Sequence, residues 1–216
     1  TSKPIIDLLA SETGALLACI YSILLKELDL VNKEIGKRIE KELIERIVNP
    51  YLNEHFWWMG SGNSKDDEPM CNWTPWCTQN ILIVFLSLEL PEVKKQRAIK
   101  KAAFSLDCFL KDYGDDGACC EGVQYYKHAG LCLFNSIEII NAVTDGSLKS
   151  LYNEKKIKNI AEFPFYMQVK DHTFFNFADC SPLALKGGVR EYLFGKRVKS
   201  SSLCNLALQH IKAGSI

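Results

Sequence analysis

The chain has 216 residues, of which 47% are hydrophobic and 24% are charged, and its 26 basic residues balance its 26 acidic ones. This composition is typical of a globular protein with one large domain or two small ones, and a balanced charge without a basic cluster argues against nucleic-acid binding. The longest uninterrupted apolar runs, such as residues 81–86, are too short to span a bilayer, so we expect no membrane partner.

Helical periodicity dominates the first part of the chain. Residues 5–28 carry apolar side chains at three- and four-residue spacing, which predicts an amphipathic helix. Residues 31–48 continue the pattern with charges on the opposite face, and Pro50 is predicted to end this second helix. An aromatic, Gly-rich loop over 55–73 follows.

Two further helical pairs are predicted downstream, each after a long loop. Their bounds are 74–90 and 92–113 for one pair, and 124–144 and 147–161 for the other. Helix pairs that alternate with long loops are typical of stacked αα-hairpins, as in solenoids and α/α toroids.

The last quarter of the chain shows a different pattern. Residues 165–169 and 173–177 alternate weakly between apolar and polar, which predicts short strands joined by a turn at 171–172. Residues 201–211 are predicted to form a final helix. The fold class is therefore all-α, with a short irregular or β segment near 164–180, and we expect a single domain over 1–216.

Nine cysteines are many for this length, but their spacing does not favour a metal or redox site. Cys119 and Cys120 are adjacent and no CxxC motif occurs, whereas structural zinc sites need paired ligands at short spacing. We therefore predict thiols rather than disulfides and no metal site. Together with the lack of a signal-peptide pattern after Thr1, thiols favour a reducing, cytoplasmic compartment.

Four tryptophans lie within twenty residues of one another, in and after the loop at 55–73; they are Trp57, Trp58, Trp73 and Trp76. Aromatic side chains beside amide donors suit a sugar-binding cleft, because the rings stack on the C–H faces of sugars. The alternative is that the rings fill the core between helix pairs. Asn72 also fits the N-cap position of the helix that contains Trp76, a role that needs no ligand.

The segment 116–128, with sequence DGACCEGVQYYKH, combines a glycine loop with proton-carrying side chains. Tyr125 and His128 are three residues apart, so they share a helix face and could handle protons together. The alternative is that Tyr125 or Tyr126 is a boundary residue of an amphipathic helix and that His128 is solvated.

Several segments resemble those of heparinase II/III-like proteins. Residues 72–80, NWTPWCTQN, resemble the NW-x-PWC-x-x-N segment of that family, and residues 116–125 resemble its DG-x-x-x-EG-x-x-Y segment. Three further segments fit the same family in the same order; they are 13–18 (TGALLA), 46–51 (RIVNPY) and 175–181 (FNFADCS).

This resemblance implies an incomplete α/α toroid from a bacterial polysaccharide lyase that cleaves uronic-acid-containing glycans, such as glycosaminoglycans, by β-elimination without a cofactor. It assigns Asn72 to the uronate carboxylate and Tyr125 to proton transfer, as acid or as acid and base. The expected substrate contacts are Trp57, Trp58, Trp73, Trp76 and Glu121. The partner would be an acidic polysaccharide or oligosaccharide.

Two features depart from the family pattern. His128 stands where the family often has a second Tyr, so we expect it to be a further proton carrier. The family's toroid is followed by β-sandwich domains that supply another His, and the 216 residues contain no such segment, which implies part of a longer protein.

Other functions on the same scaffold remain open. A uronyl epimerase is one, and a glycoside hydrolase, with two carboxylates among Glu121, Asp116 and Glu68, is another. A carbohydrate-binding domain without catalysis is the third.

Overall fold

The computed structural model describes residues 3–61, 69–183 and 187–214. These residues form ten α-helices and one two-stranded antiparallel sheet, so the predicted all-α class is confirmed. The chain divides into two compact units, Thr1–Phe109 and Leu110–Ile216, which are described separately. The toroidal arrangement and the single domain stay predictions.

The first unit is built from long helices. They are α1 (Leu8–Val31), α2 (Lys33–Leu43), α3 (Asn49–Asn53), α4 (Trp73–Ser87) and most of α5 (Glu92–Asp112). Short side chains cap the first two: Asp7 accepts a hydrogen bond from the Ala10 amide at 2.7 Å, and Asn32 accepts one from the Glu34 amide at 2.9 Å. Such caps satisfy amides that have no partner within the helix.

Helix α1 packs against α2 and α4 through small residues. A side chain on Gly14 would lie 3.0 Å from Ile47, so the glycine lets the two backbones approach closely. Buried Ser11 accepts a hydrogen bond from Asn80 at 3.3 Å, which links α1 to α4. Asn80, the last residue of the NWTPWCTQN segment, therefore has a structural role.

By length and composition, α1 could also cross a membrane. Its most apolar window has a mean hydropathy of 1.8, and it is the one helix among the described residues that passes this test. Polar residues interrupt its apolar side chains, so the longest uninterrupted apolar runs do not reveal it. Core helices of soluble proteins and N-terminal signal sequences share these properties, so the finding does not establish a membrane span.

The prediction that Pro50 ends the second helix is wrong. Residues Ile44–Val48 form one π-helical turn after α2, and Pro50 lies in the first turn of α3, where a missing amide N–H costs no hydrogen bond. The chain leaves α3 only after Asn53. There, Lys101 of α5 donates to the carbonyl oxygens of Tyr51 and Glu54, both at 2.7 Å, and so caps the helix.

The second unit contains shorter elements. They are α6 (Val123–Tyr126), α7 (Gly130–Val143), α8 (Lys155–Met167), β1 (Gln168–Lys170), β2 (Thr173–Phe174), α9 (Val189–Arg197) and α10 (Ser201–Gly214). A 3₁₀ turn, Lys149–Asn153, joins α7 to α8. A network ties α7 to this turn and to α9: Arg197 donates to both oxygens of Glu138, and the Tyr152 hydroxyl donates to the same carboxylate at 2.7 Å.

Three expectations for this unit need correction. The helix predicted over 147–161 is divided, because the 3₁₀ turn Lys149–Asn153 precedes α8, which begins only at Lys155. The single helix predicted over 124–144 is interrupted between α6 and α7, where a side chain on Gly130 would lie 2.4 Å from the Tyr126 ring. Residues 165–167 continue α8 rather than starting a strand, although the turn at 171–172 is confirmed. Helix α9, which begins after Gly188, was not predicted at all.

Candidate functional site

Asn72 and the tryptophans lie in the first unit, around the start of α4. Asn72 occupies the N-cap position and is buried, but its side chain makes no capping hydrogen bond, so the capping interpretation is not confirmed. The Thr74 hydroxyl donates to the Trp58 carbonyl at 2.7 Å, which fixes the first turn of α4 to the preceding aromatic segment.

Two of the four tryptophans form an accessible aromatic surface. Trp57 is 53% exposed, and its ring centre lies 5.1 Å from that of half-buried Trp73, with an interplanar angle of 47°. Trp76 is also half-buried, one turn further along α4. All three side chains are at least partly accessible, and the sugar contacts expected of them stay predictions.

Trp58 is a core residue, and its assignment as a substrate contact is wrong. Its side chain is fully buried, its indole N–H donates to the Ile6 carbonyl at 2.9 Å, and its ring stacks on Phe56 at 5.9 Å between centroids. A buried ring with a satisfied N–H has no surface left for a sugar. Glu68, one of the alternative carboxylates, lies outside the described residues.

In the second unit, the glycine loop before α6 is held against α8. Gly117 has φ +78°, and a side chain there would lie 2.2 Å from the backbone of Asn159. The side-chain amide of Asn159 donates to the backbone carbonyl of Asp115 at 2.7 Å.

Lys156 holds the same loop from α8. Its ammonium donates to the backbone carbonyls of Leu110 and Tyr113, at 2.9 and 2.8 Å, and pairs with the Asp115 carboxylate at 2.9 Å. The loop is therefore fixed before it reaches the site residues.

Replacing Lys156 with Met is expected to destabilise the second unit by about 1–3 kcal/mol, because the last carbonyls of α5 lose a charged donor. Hydrogen exchange followed by mass spectrometry should show faster exchange of peptides over 105–122. The exposed neighbour Lys155, replaced by Met, is the matched control and should leave exchange unchanged. Equal exchange rates over 105–122 in the two variants would contradict the role of Lys156 in fixing the loop.

The segment 177–181 packs on the start of α6. A side chain on Gly122, which has φ +86°, would lie 2.5 Å from Cβ of Cys180, and the Ser181 amide donates to the Gln124 side chain at 3.2 Å. Burial raises the pKa of the Glu121 carboxyl, and the negative charge of Asp179 raises it further. The contact of Gly122 with Cys180 brings their chain neighbours Glu121 and Asp179 into the same part of the unit.

Sequence reasoning did not name Asp179 as a site residue. The one signal was its place in the segment 175–181, which carries part of the family resemblance. That segment lies more than fifty residues after Glu121, so only the folded chain shows that the two residues lie in the same part of the unit.

Two adjacent phenols at α6 have different environments. Tyr125 is half-buried and its ring centre lies 6.1 Å from that of His128, with the planes at 60°. Tyr126 is fully buried, and its hydroxyl donates to the Ala161 carbonyl at 3.2 Å. The predicted pairing of Tyr125 with His128 is confirmed as a ring contact, but His128 lies in the turn after α6 and not on the helix. Tyr126 belongs to the core.

His128 is neutral at physiological pH. Burial lowers its pKa to about 4, and the positive charges of Lys127 and Arg190 contribute to the decrease. A neutral imidazole has one nitrogen that can accept a proton. The second unit thus places a phenol beside a neutral imidazole, whereas Asn72 and the tryptophans belong to the first unit.

The other histidines of the second unit form a separate buried pair. The ring centres of His172, in the β1–β2 turn, and His210, on α10, are 4.9 Å apart. The Gly187 amide donates to Nδ1 of His210 at 3.0 Å. Burial lowers the pKa of His210, His172 lowers it further, and the Asp171 carbonyl and Glu191 oppose the decrease.

This arrangement predicts that the second unit loses stability in acid. A His with a lowered folded pKa contributes its full stability above the unfolded value of about 6.5, and the contribution falls as the pH decreases below it. Protonated Nδ1 can no longer accept the Gly187 N–H. Relative to the intrinsic exchange rate at each pH, hydrogen exchange of α10 should accelerate between about pH 7 and 5.

In the His210→Gln variant that acceleration should be weaker, because a Gln oxygen still accepts the Gly187 N–H. The acceleration that remains in this variant would come from His128, whose pKa is also lowered. Exposed His55, replaced by Gln, should leave the pH dependence of wild type unchanged. If exchange of α10 in His210→Gln depended on pH as strongly as in wild type, the assignment of the loss of stability in acid to His210 would be wrong.

The thiols form no disulfide and, among the described residues, no metal cluster. All nine cysteines are in the thiol form, as predicted. Burial raises the pKa of Cys119 to about 12, so its nucleophilic thiolate is scarce at neutral pH. Across the ranges 3–61, 69–183 and 187–214, no group of three or more His, Cys, Asp or Glu side chains is arranged to hold a metal ion.

Comparison with known proteins adds no assignment: no protein-family model matches the chain, and no curated protein matches it significantly.

Proposed function

We propose that the protein is a lyase that cleaves uronic-acid-containing glycans by β-elimination, as the resemblance to heparinase II/III-like proteins implies. The observation that supports this most is the contact of Tyr125 with His128, a half-buried imidazole that is neutral at physiological pH. A phenol beside a neutral imidazole can both give and receive a proton.

The reaction has three requirements that these side chains can meet. A base removes the proton on C5, which is weakly acidic because it is alpha to the carboxylate. The electron pair forms the C4–C5 double bond, the C4–O4 bond breaks, and O4 takes a proton. Tyr125 would supply that proton, and either its phenolate or the imidazole of His128 would act as the base.

For Asn72 we propose the role that the resemblance implies, a hydrogen bond from its amide to the uronate carboxylate. A fixed neutral donor stabilises the negative charge that develops as the C5 proton leaves, as an oxyanion hole does. Trp57 and Trp73 would bind the sugar rings of the glycan, since part of each indole is accessible.

A second candidate function, glycoside hydrolysis, is favoured by one observation. Glu121 and Asp179 lie close enough for the charge of one to raise the pKa of the other, and a raised pKa is what a general acid needs. Hydrolysis would leave no double bond in the product, so the two reactions are distinguishable.

The test is incubation of the purified chain with a panel of uronate glycans, followed by both ultraviolet absorbance and mass spectrometry. A C4–C5 double bond and no gain of water supports the lyase. Cleavage with a gain of 18 mass units, the mass of one water, and no absorbance would support the hydrolase instead. Uronate of inverted configuration in uncleaved chains, detected by proton NMR, would support the epimerase. Binding without any product would leave a carbohydrate-binding domain.

A further inference from the structure

Helix α1 has an apolar, exposed face opposite the face that packs in the core. The core face carries small buried residues; they are Ser11, Gly14 and Ala18. The exposed face carries an apolar stripe whose members are seven residues apart; they are Leu9 (75% exposed), Leu16 (61%), Ile23 (74%) and Leu30 (89%). A helix that packs only on its own protein usually has polar and charged side chains on its outer face. A stripe of this length therefore indicates a surface that binds another molecule.

The spacing of the stripe favours another helix as its partner. Apolar side chains with a seven-residue repeat stay on one side of a helix over many turns and form the seam of paired helices. Half-buried Ile20 lies on the same side, between Leu16 and Ile23, and completes the alternation of three- and four-residue steps there. From Leu9 to Leu30 the stripe is about 32 Å long, because each residue of a helix rises about 1.5 Å.

The charges of α1 argue against a lipid surface as the partner. The helix has one basic and three acidic residues; they are Lys26, Glu12, Glu27 and Asp29. Helices that lie on membranes carry mostly Lys and Arg beside the apolar face. A membrane span is also unfavourable, because it would remove α1 from α4 and break the hydrogen bond from Asn80 to Ser11.

We propose that the stripe of α1 binds the same stripe of a second copy of the chain, in an antiparallel, two-fold symmetric dimer. Glu12 and Lys26 are exposed on one edge of the stripe, and in an antiparallel pair Glu12 of one copy faces Lys26 of the other. Symmetry makes this contact twice. A parallel pair would instead bring Glu27, on the stripe side, against Glu27 of the other copy, and like charges disfavour that arrangement. The inference does not depend on the proposed lyase function.

The antiparallel arrangement also places one thiol at the symmetry axis. Half-buried Cys19 lies midway between Glu12 and Lys26 on the same edge, and near the middle of the stripe. When Glu12 of each copy is opposite Lys26 of the other, the two Cys19 side chains are therefore opposite each other. A disulfide needs two thiols at such close range, so its formation reports on the register.

Sedimentation velocity of the whole chain under reducing conditions tests the surface. Wild type should be a dimer at about 50 µM. Leu16→Glu combined with Ile23→Glu should raise the dissociation constant at least about 30-fold, because the dimer would then bury four carboxylates in its seam. Both positions are exposed in the single chain, so the circular dichroism of this variant should match that of wild type.

Val93→Glu combined with Phe104→Glu is the matched control. These residues are 69% and 45% exposed on α5 of the same unit, outside the stripe, so the dissociation constant should stay within about three-fold of wild type. Wild type that is monomeric at this concentration, or a dimer that persists with Leu16→Glu and Ile23→Glu, would overturn the inference. Monomers that bind phosphatidylcholine vesicles through the stripe would assign it to a membrane and also overturn the inference.

Oxidation of the Cys120→Ser variant, which lacks the one exposed thiol among the nine, tests the antiparallel register. Diamide takes two electrons and two protons from a pair of thiols, so it should join the two Cys19 sulfurs and give a reducible dimer in gel electrophoresis. Addition of Cys19→Ser to this variant should abolish that dimer. A chain that sediments as a dimer but forms no disulfide through Cys19 would overturn the antiparallel arrangement.

Discussion

Tyr125→Phe is expected to lower turnover of a uronate glycan by about 10²- to 10⁴-fold, the usual contribution of a positioned acid or base. The substitution removes one hydroxyl and keeps the ring that contacts His128. Substrate affinity should therefore change little, and the loss should appear in kcat rather than in KM. Initial rates from the absorbance of the unsaturated product, over a range of substrate concentrations, separate the two parameters.

Tyr126 provides a matched control for this prediction, because it is the adjacent phenol on the same short helix. Tyr126→Phe deletes a buried hydroxyl whose partner is the Ala161 carbonyl, so it should cost about 0.5–1.5 kcal/mol of stability and leave turnover normal. If Tyr126→Phe abolished turnover while Tyr125→Phe did not, the assignment of the proton carrier would be reversed.

The largest expected effect on stability is that of Trp58→Ala, at about 3–5 kcal/mol for the loss of a fully buried Trp. The substitution leaves a cavity between Phe56 and Tyr51, whose rings lie 5.9 and 6.5 Å from Trp58, and it removes the donor to Ile6. Urea unfolding followed by tryptophan fluorescence reports on this unit, because all four Trp residues precede residue 109.

Trp57→Ala is the corresponding control, since this neighbour is 53% exposed. It should change the free energy of unfolding by less than about 1 kcal/mol but weaken glycan binding, because it removes half of the accessible aromatic pair. Equal destabilisation by the two substitutions would contradict the division of the tryptophans into one core residue and one surface residue.

The sequence was informative wherever one helix face is apolar over many turns. The periodicity over 5–28 and 92–113 located α1 and α5 to within a few residues, because burial of a continuous stripe decides those helices. Prediction failed where the backbone leaves a helix without a proline or a change in the apolar spacing. The chain leaves α6 after Tyr126 and enters α7 at Gly130, where a side chain would lie 2.4 Å from the Tyr126 ring, and the spacing of apolar residues does not reveal this break.

The site was predictable in part for the same reason. Three-residue spacing placed Tyr125 beside His128, although the contact is made across a turn, in which the His128 N–H donates to the Tyr125 carbonyl at 2.8 Å, and not along a helix face. Spacing could not tell which of two adjacent phenols is buried, or that Trp58 rather than Trp57 fills the core. Asp179 reaches Glu121 only through the packing of residues 177–181 on Gly122, a contact between distant segments.

One measurement tests the central proposal most directly: the ultraviolet absorbance of the C4–C5 double bond when the purified chain is incubated with uronate glycans. The proposal predicts that absorbance rises with time for wild type and for Tyr126→Phe, and at least about 100-fold more slowly for Tyr125→Phe. Absorbance that stays flat for wild type on every uronate glycan, or that rises equally fast for Tyr125→Phe, would contradict it.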